Sequence, residues 1–151
     1  MDERKKNEAK TRKMNTFANR SQLFNFRWQN CSLFGGNIHV TREGIRYASP
    51  DSLICLKALA YMNLSAERAA GKQVNSDDLK KHRRDVMMAV AALDPTEVFE
   101  VSAHIKEVLN SFIQAIADPQ IGQSIAASLG VGADYLGSLV EILESNFTIA
   151  Q

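Results

Sequence analysis

Lys57, Lys81, His82 and Asp85 are the residues whose types and spacing offer a chemistry. A lysine ammonium meets a phosphate as a compact point charge, and a carboxylate beside it pairs with it and fixes its direction. Lys57 follows Leu53 by four residues and precedes Ala60 by three, so it falls inside an apolar helical face. An unpaired ammonium there costs on the order of several kcal/mol. It must therefore find a carboxylate, snorkel to the edge of the contact, or point into a cleft. Asp85 is the carboxylate in reach if the helices carrying the two residues fold into an antiparallel hairpin, and such a pair would be structural. The same lysine at the mouth of a cleft would instead meet a nucleotide phosphate, with Lys81 as a second charge. His82 reads as a partly buried histidine rather than a ligand, because no second His, Cys or carboxylate stands at metal-ligand spacing with it.

An enzyme needs groups that converge, and few here can. The chain lacks the glycine-rich phosphate loops G-x-G-x-x-G and G-x-x-x-x-G-K-[ST] and the nucleophile elbow G-x-S-x-G. It also lacks an Asp-x-Asp, which on a strand would aim both carboxylates at one Mg²⁺. No catalytic residue set is expected in this polypeptide alone.

The elements that must position the four residues are mostly helical. Ser49-Pro50 suits a helix start, with serine to cap and proline in the first turn, and Gly71 stops that helix after about residue 70. Leu53, Leu56, Ala60 and Leu64 form its expected apolar face. Asn75 or Ser76 caps the next helix, which Asp77 and Asp78 favour through its dipole and which runs to about Leu93. Its stripe is Leu79, His82, Val86, Val90 and Leu93, with Lys80, Lys81, Arg83 and Arg84 as a basic flank. Asp94-Pro95-Thr96-Glu97 has the form of a capping box and predicts a third helix to about residue 117, with Val98, Val101, Ile105, Val108, Leu109, Phe112 and Ile116 as its apolar set. Asp118-Pro119 breaks the chain before a shorter segment over 121–129, and Gly130 and Gly132 precede a last helix over 133–147, buried through Leu136, Leu139, Val140 and Leu143.

Upstream, the pattern turns to β. Phe24, Phe26 and Trp28 alternate with polar residues over 21–31 as in a strand with one buried face; base stacking by these aromatics is the weaker reading. Gly35-Gly36 makes a turn, and Ile38, Val40, Ile45 and Tyr47 flank the bend at 41–44, which predicts a hairpin. The fold class expected is mainly α (α+β): short N-terminal strands or a hairpin, then a bundle of about four to five helices. Residues 1–20 read as a basic flexible tail or helix, and 21–151 as one domain, with a small β element over 21–48 and the bundle over 49–151.

With 18 Lys and Arg against 17 Asp and Glu, the net charge of +1 makes no whole-molecule case for nucleic acid. Cys31 and Cys55 form no Cys-x-x-Cys pair and read as reduced thiols. No apolar stretch approaches the ~20 residues of a membrane span, and no signal region follows the charged start, so a cytoplasmic protein away from membranes is expected.

Residues 48–61, with Leu56-Lys57-Ala58-Leu59-Ala60-Tyr61, and residues 74–86, with Lys81-His82-Arg83-Arg84-Asp85-Val86, resemble the AbiEii-type nucleotidyltransferase-like family, whose members include toxins of toxin-antitoxin systems. The first stretch is similar to that family's helix with a motif lysine, the second to its helix with a KH-x-x-DV pattern; the likeness spans about residues 36–93. It implies a nucleotidyltransferase core that binds Mg²⁺ and a nucleoside triphosphate through carboxylates on early strands. Lys57, Lys81 and Asp85, with His82 beside them, would then belong to the nucleotide site. The early Gly-Ser and paired aspartates of the pattern have no counterpart here. The expectation is thus an incomplete or non-catalytic relative that acts through binding, as a homo-oligomer or with a protein partner, or a subunit completed by another chain. Mg²⁺ enters only with a completed nucleotide site. A helical adaptor for nucleic acid or protein is a further alternative; a nucleic acid, RNA included, would use the tail and the basic flank, with an affinity that falls steeply with salt.

Overall fold

In the structure, a computed structural model, residues 38–40, 43–44 and 46–150 are described. The expected tail over 1–20, the strand over 21–31, the Gly35-Gly36 turn, Ile45 and Cys31 lie outside them. The described chain opens with β1 (Ile38–Val40) and β2 (Arg46–Ala48), which pair antiparallel with Ile38 opposite Ala48 and Val40 opposite Arg46. Gly44, in the bend between them, has φ +79°, a conformation that glycine adopts without steric cost. The expected hairpin is present.

α1 (Pro50–Ala69) starts where Ser49-Pro50 signals it, and Gly71 at φ +82° turns the chain out of it. Ser49 does not cap with its side chain. Its hydroxyl donates instead to Ser52 Oγ at 3.0 Å, and both serines are buried. The buried face also differs from the expected one. Ile54, Cys55, Ala58 and Tyr61 face the core, whereas Leu53 is 36% exposed and Leu56, Ala60 and Leu64 are half-buried. The helix carries apolar residues on nearly every side, so its leucines marked a flank of the face that is buried.

α2 (Ser76–Val90) is capped by Asn75, whose Oδ1 accepts from the Asp77 amide at 3.0 Å. It ends short of Leu93, which is carried into the core by a tight turn closed by Ala92 N–H to Ala89 O and Leu93 N–H to Val90 O. α1 packs along both α2 and the third helix, where Tyr61 meets Phe112 edge to face at 5.4 Å.

Asp94-Pro95 does not begin a helix. Asp94 Oδ1 accepts from the amide and the hydroxyl of Thr96 at 2.8 and 2.7 Å, closing a local turn. The chain then extends as β3 (Phe99–Val101), and α3 (Ala103–Ile116) starts behind Ser102, whose Oγ accepts from Ile105 N–H at 3.3 Å. β3 pairs parallel with β4 (Phe147–Ile149), Phe99 beside Phe147 and Val101 beside Ile149. Val98, Phe99 and Val101, β-branched or aromatic, favour strand, and a partner late in the chain supplies the ladder that a helix would otherwise provide. Val98, placed by the sequence in an apolar helical face, is 64% exposed, while Val101 is buried in the strand.

α4 (Pro119–Leu129) is capped by Asp118, which accepts from the amides of Gln120 and Ile121, and ends at Gly130 with φ +69°. α5 (Ala133–Asn146) buries Leu136, Leu139 and Leu143, and passes directly into β4. Two polar side chains tie this junction. Lys106 of α3 donates to the carbonyls of Glu144 and Phe147 at 3.0 and 2.7 Å, satisfying acceptors that a helix end leaves open. Asn146, fully buried, donates to Asp94 O at 2.8 Å and so joins the end of α5 to the turn before β3.

The fold is mainly α (α+β), with five helices among the described residues. No single helix among them is long and apolar enough to cross a membrane.

Candidate functional site

The loop over 71–75 returns the chain so that α2 lies along α1, and this seam gathers three of the four residues singled out in the sequence. Lys57, in the middle of α1, donates to Asp85 Oδ2 of α2 at 2.8 Å, and each side chain is 26% exposed. Burial at that level leaves the pair shielded from bulk water yet within a ligand's reach. Lys57 thus takes the first of its three routes, finding a carboxylate. An ammonium carries three donors, and among the described residues Asp85 is the one acceptor that Lys57 meets, leaving two N–H groups for solvent or a ligand.

His82 lies one turn before Asp85, on the side of α2 between the core and solvent. Its Nδ1 is shut off from solvent and has no hydrogen-bond partner among the described residues. Burial pushes its pKa below 6.5, the Lys57 ammonium pushes the same way, and Asp85 and Asp78 pull weakly against them; Lys81 adds a small further lowering. The ring is neutral at pH 7. The buried, unpartnered Nδ1 is in no position to take a proton from a substrate.

Lys81 is not brought to the pair. It is exposed on the outer side of α2 and reaches the site only through its weak effect on His82. The rest of the basic flank is dispersed as well: Lys80 pairs with Asp77 at 3.5 Å, Arg84 is exposed, and Arg83 donates to Ser124 Oγ at 3.0 Å, linking α2 to α4. The Arg83–Ser124 contact joins residues with no periodic relation, and nothing in the sequence pointed to it.

Among the described residues, no three His, Cys, Asp or Glu side chains are grouped so that they could hold a metal ion. Cys55 is a free, buried thiol, and burial, with help from Asp51, pushes its pKa up to about 12, so it is protonated and unreactive at neutral pH. The seam therefore offers a fixed cation with open donor positions, a carboxylate that orients it, and a neutral imidazole. That set can bind an anion but holds no activated nucleophile.

No protein-family profile matches the chain, and neither a curated protein nor a solved structure does.

Proposed function

We propose that this chain acts by binding, as an incomplete nucleotidyltransferase-like protein whose α1–α2 seam contributes a phosphate-contacting lysine to a nucleotide site. Lys57 carries the reading: Asp85 holds its ammonium at 2.8 Å, and its side chain stays open enough for a phosphate oxygen to meet the remaining two N–H groups. The likeness of residues 48–61 and 74–86 to AbiEii-type proteins supports the same assignment and suggests a setting in toxin-antitoxin systems. On this reading Lys57 and Asp85 do not act on the substrate chemically. Any Mg²⁺ arrives with the triphosphate and is held by carboxylates of a second polypeptide, which would complete a transferase.

The test is thermal unfolding of the full chain with ATP, GTP, CTP or UTP, with and without Mg²⁺, for the wild type, Lys57→Ala and Asp85→Ala. Each variant is compared with its own nucleotide-free baseline. A nucleotide at a hundred times its dissociation constant adds about 2.7 kcal/mol, roughly 5–10 °C for a chain of this size. A shift in the wild type that both variants lose is the expected result. No shift with any of the four nucleotides removes the reading.

A further inference from the structure

His82 is the one residue of the seam whose placement the lysine–aspartate pair does not explain. Two facts about it are geometric. Its Nδ1 is buried with no partner among the described residues, and the residue stands one helical turn from the carboxylate that holds Lys57. A neutral imidazole needs a donor for one nitrogen and an acceptor for the other, whereas an imidazolium needs acceptors for both. Burial without a partner is thus tolerable for the neutral ring and much less so for the charged one.

We propose that His82 is a proton sensor in the α1–α2 seam: an imidazolium formed there lacks an acceptor for Nδ1–H and competes with Lys57 for Asp85, so proton uptake loosens the pair. The charged groups that act on the ring are Lys57 from α1 and Asp78, Lys81 and Asp85 from α2. Lys57 and Asp85 neutralise each other at 2.8 Å, and Asp78 and Lys81 are exposed and screened by solvent, so burial decides the balance. The ring's pKa is lower in the folded chain than in the unfolded one. The stability it contributes is therefore complete above the unfolded value of about 6.5 and is lost as pH falls through that value toward the folded midpoint. As pH falls through the folded midpoint the seam passes from neutral to singly positive, a change that favours anionic ligands. The inference stands apart from the nucleotide reading and is tested without nucleotide.

The experiment is an NMR titration of the His82 ring in the full chain from about pH 8 to about pH 5, with thermal unfolding of the wild type and His82→Gln over the same range. The ring signal is assigned through its bonds to the backbone, so the titration stands even where the variant fails to fold. The expected results are a His82 midpoint below about 6.5, an Asp85 side-chain resonance that moves with it, and a wild-type melting temperature that falls with acid more steeply than that of His82→Gln. A His82 midpoint at or above the unfolded value overturns the proposal, as does an Asp85 signal that ignores the His82 transition.

Discussion

Removing one partner of the Lys57–Asp85 pair should cost more than removing both. Each side chain is 26% exposed, so the pair falls between two measured regimes. Solvent-exposed pairs are worth about 0.2–1 kcal/mol, whereas breaking a fully buried pair costs about 3–5 kcal/mol because one charge stays behind uncompensated. Lys57→Met keeps the stem packing of α1 but strands Asp85, and Asp85→Leu strands Lys57 beside a neutral ring. Each should destabilise by about 1–2 kcal/mol, nearer the exposed regime because a quarter of each side chain reaches water. The double variant replaces both charges by apolar groups on helices whose buried positions already include Ala58, Leu79 and Val86, and should lie within about 1 kcal/mol of the wild type. Urea unfolding of the four proteins, at low and at high salt, gives the coupling energy directly. We expect about 2–4 kcal/mol, the two single losses set against a near-neutral double, little reduced by salt since a half-buried pair is only partly screened. A coupling below about 0.5 kcal/mol, the scatter of independent sites, would refute the claim that the seam shields these charges.

Ser102→Ala should lower stability by about 1 kcal/mol through loss of the α3 cap, whereas Asp94→Ala should leave α3 helicity unchanged; helicity by circular dichroism alongside urea unfolding separates them. In a Cys31→Ser background, Cys55 should resist a disulfide exchange reagent at about pH 8 until the chain unfolds, because thiolate is the attacking species and its pKa is pushed up to about 12; fast labelling of the native protein would contradict the burial of that thiol.

What was legible in the sequence is what depends on neighbours in the chain. Pro50, Asn75, Asp118, Gly71 and Gly130 mark helix ends through local hydrogen bonds and backbone freedom, and the elements begin or stop beside them. What misled depends on distant partners. The signal at Asp94-Pro95-Thr96-Glu97 has the residues of a capping box, yet β4 offers Phe99 and Val101 a ladder and a ring stack at 5.4 Å, and the helix yields the first turns to it. Phe147, expected as the last residue of a helix, is the first of that strand for the same reason. On α1 the periodicity was sound but the face was wrong, since hydropathy ranks Leu53 above Ala58 while the buried face carries Ala58. Lys57 was legible as a charge in need of a partner, and Asp85 as a carboxylate within hairpin reach. The periodicity of α2 likewise set His82 in the apolar stripe and Lys81 in the basic flank, and in the structure the first is half-buried and the second exposed.

The pair also bears on why the seam carries charge at all. Ion pairs in half-buried positions are weak evidence for stability, because two apolar side chains of similar volume serve as well or better. The buried positions of the two helices are mostly filled that way, by Ile54, Ala58 and Tyr61 on α1 and Leu79, Val86 and Val90 on α2. Lys57 and Asp85 therefore add little that the apolar seam lacks energetically, while they add a fixed ammonium with two open donors at a partly exposed point. The cost of His82 runs in the same direction, since a buried nitrogen without a partner is a local loss that an apolar residue at that position would avoid. Three adjoining positions that each decline the more stabilising choice are most simply explained by a requirement for their polarity, and a bound anion or a bound proton is the kind of event that such polarity can register.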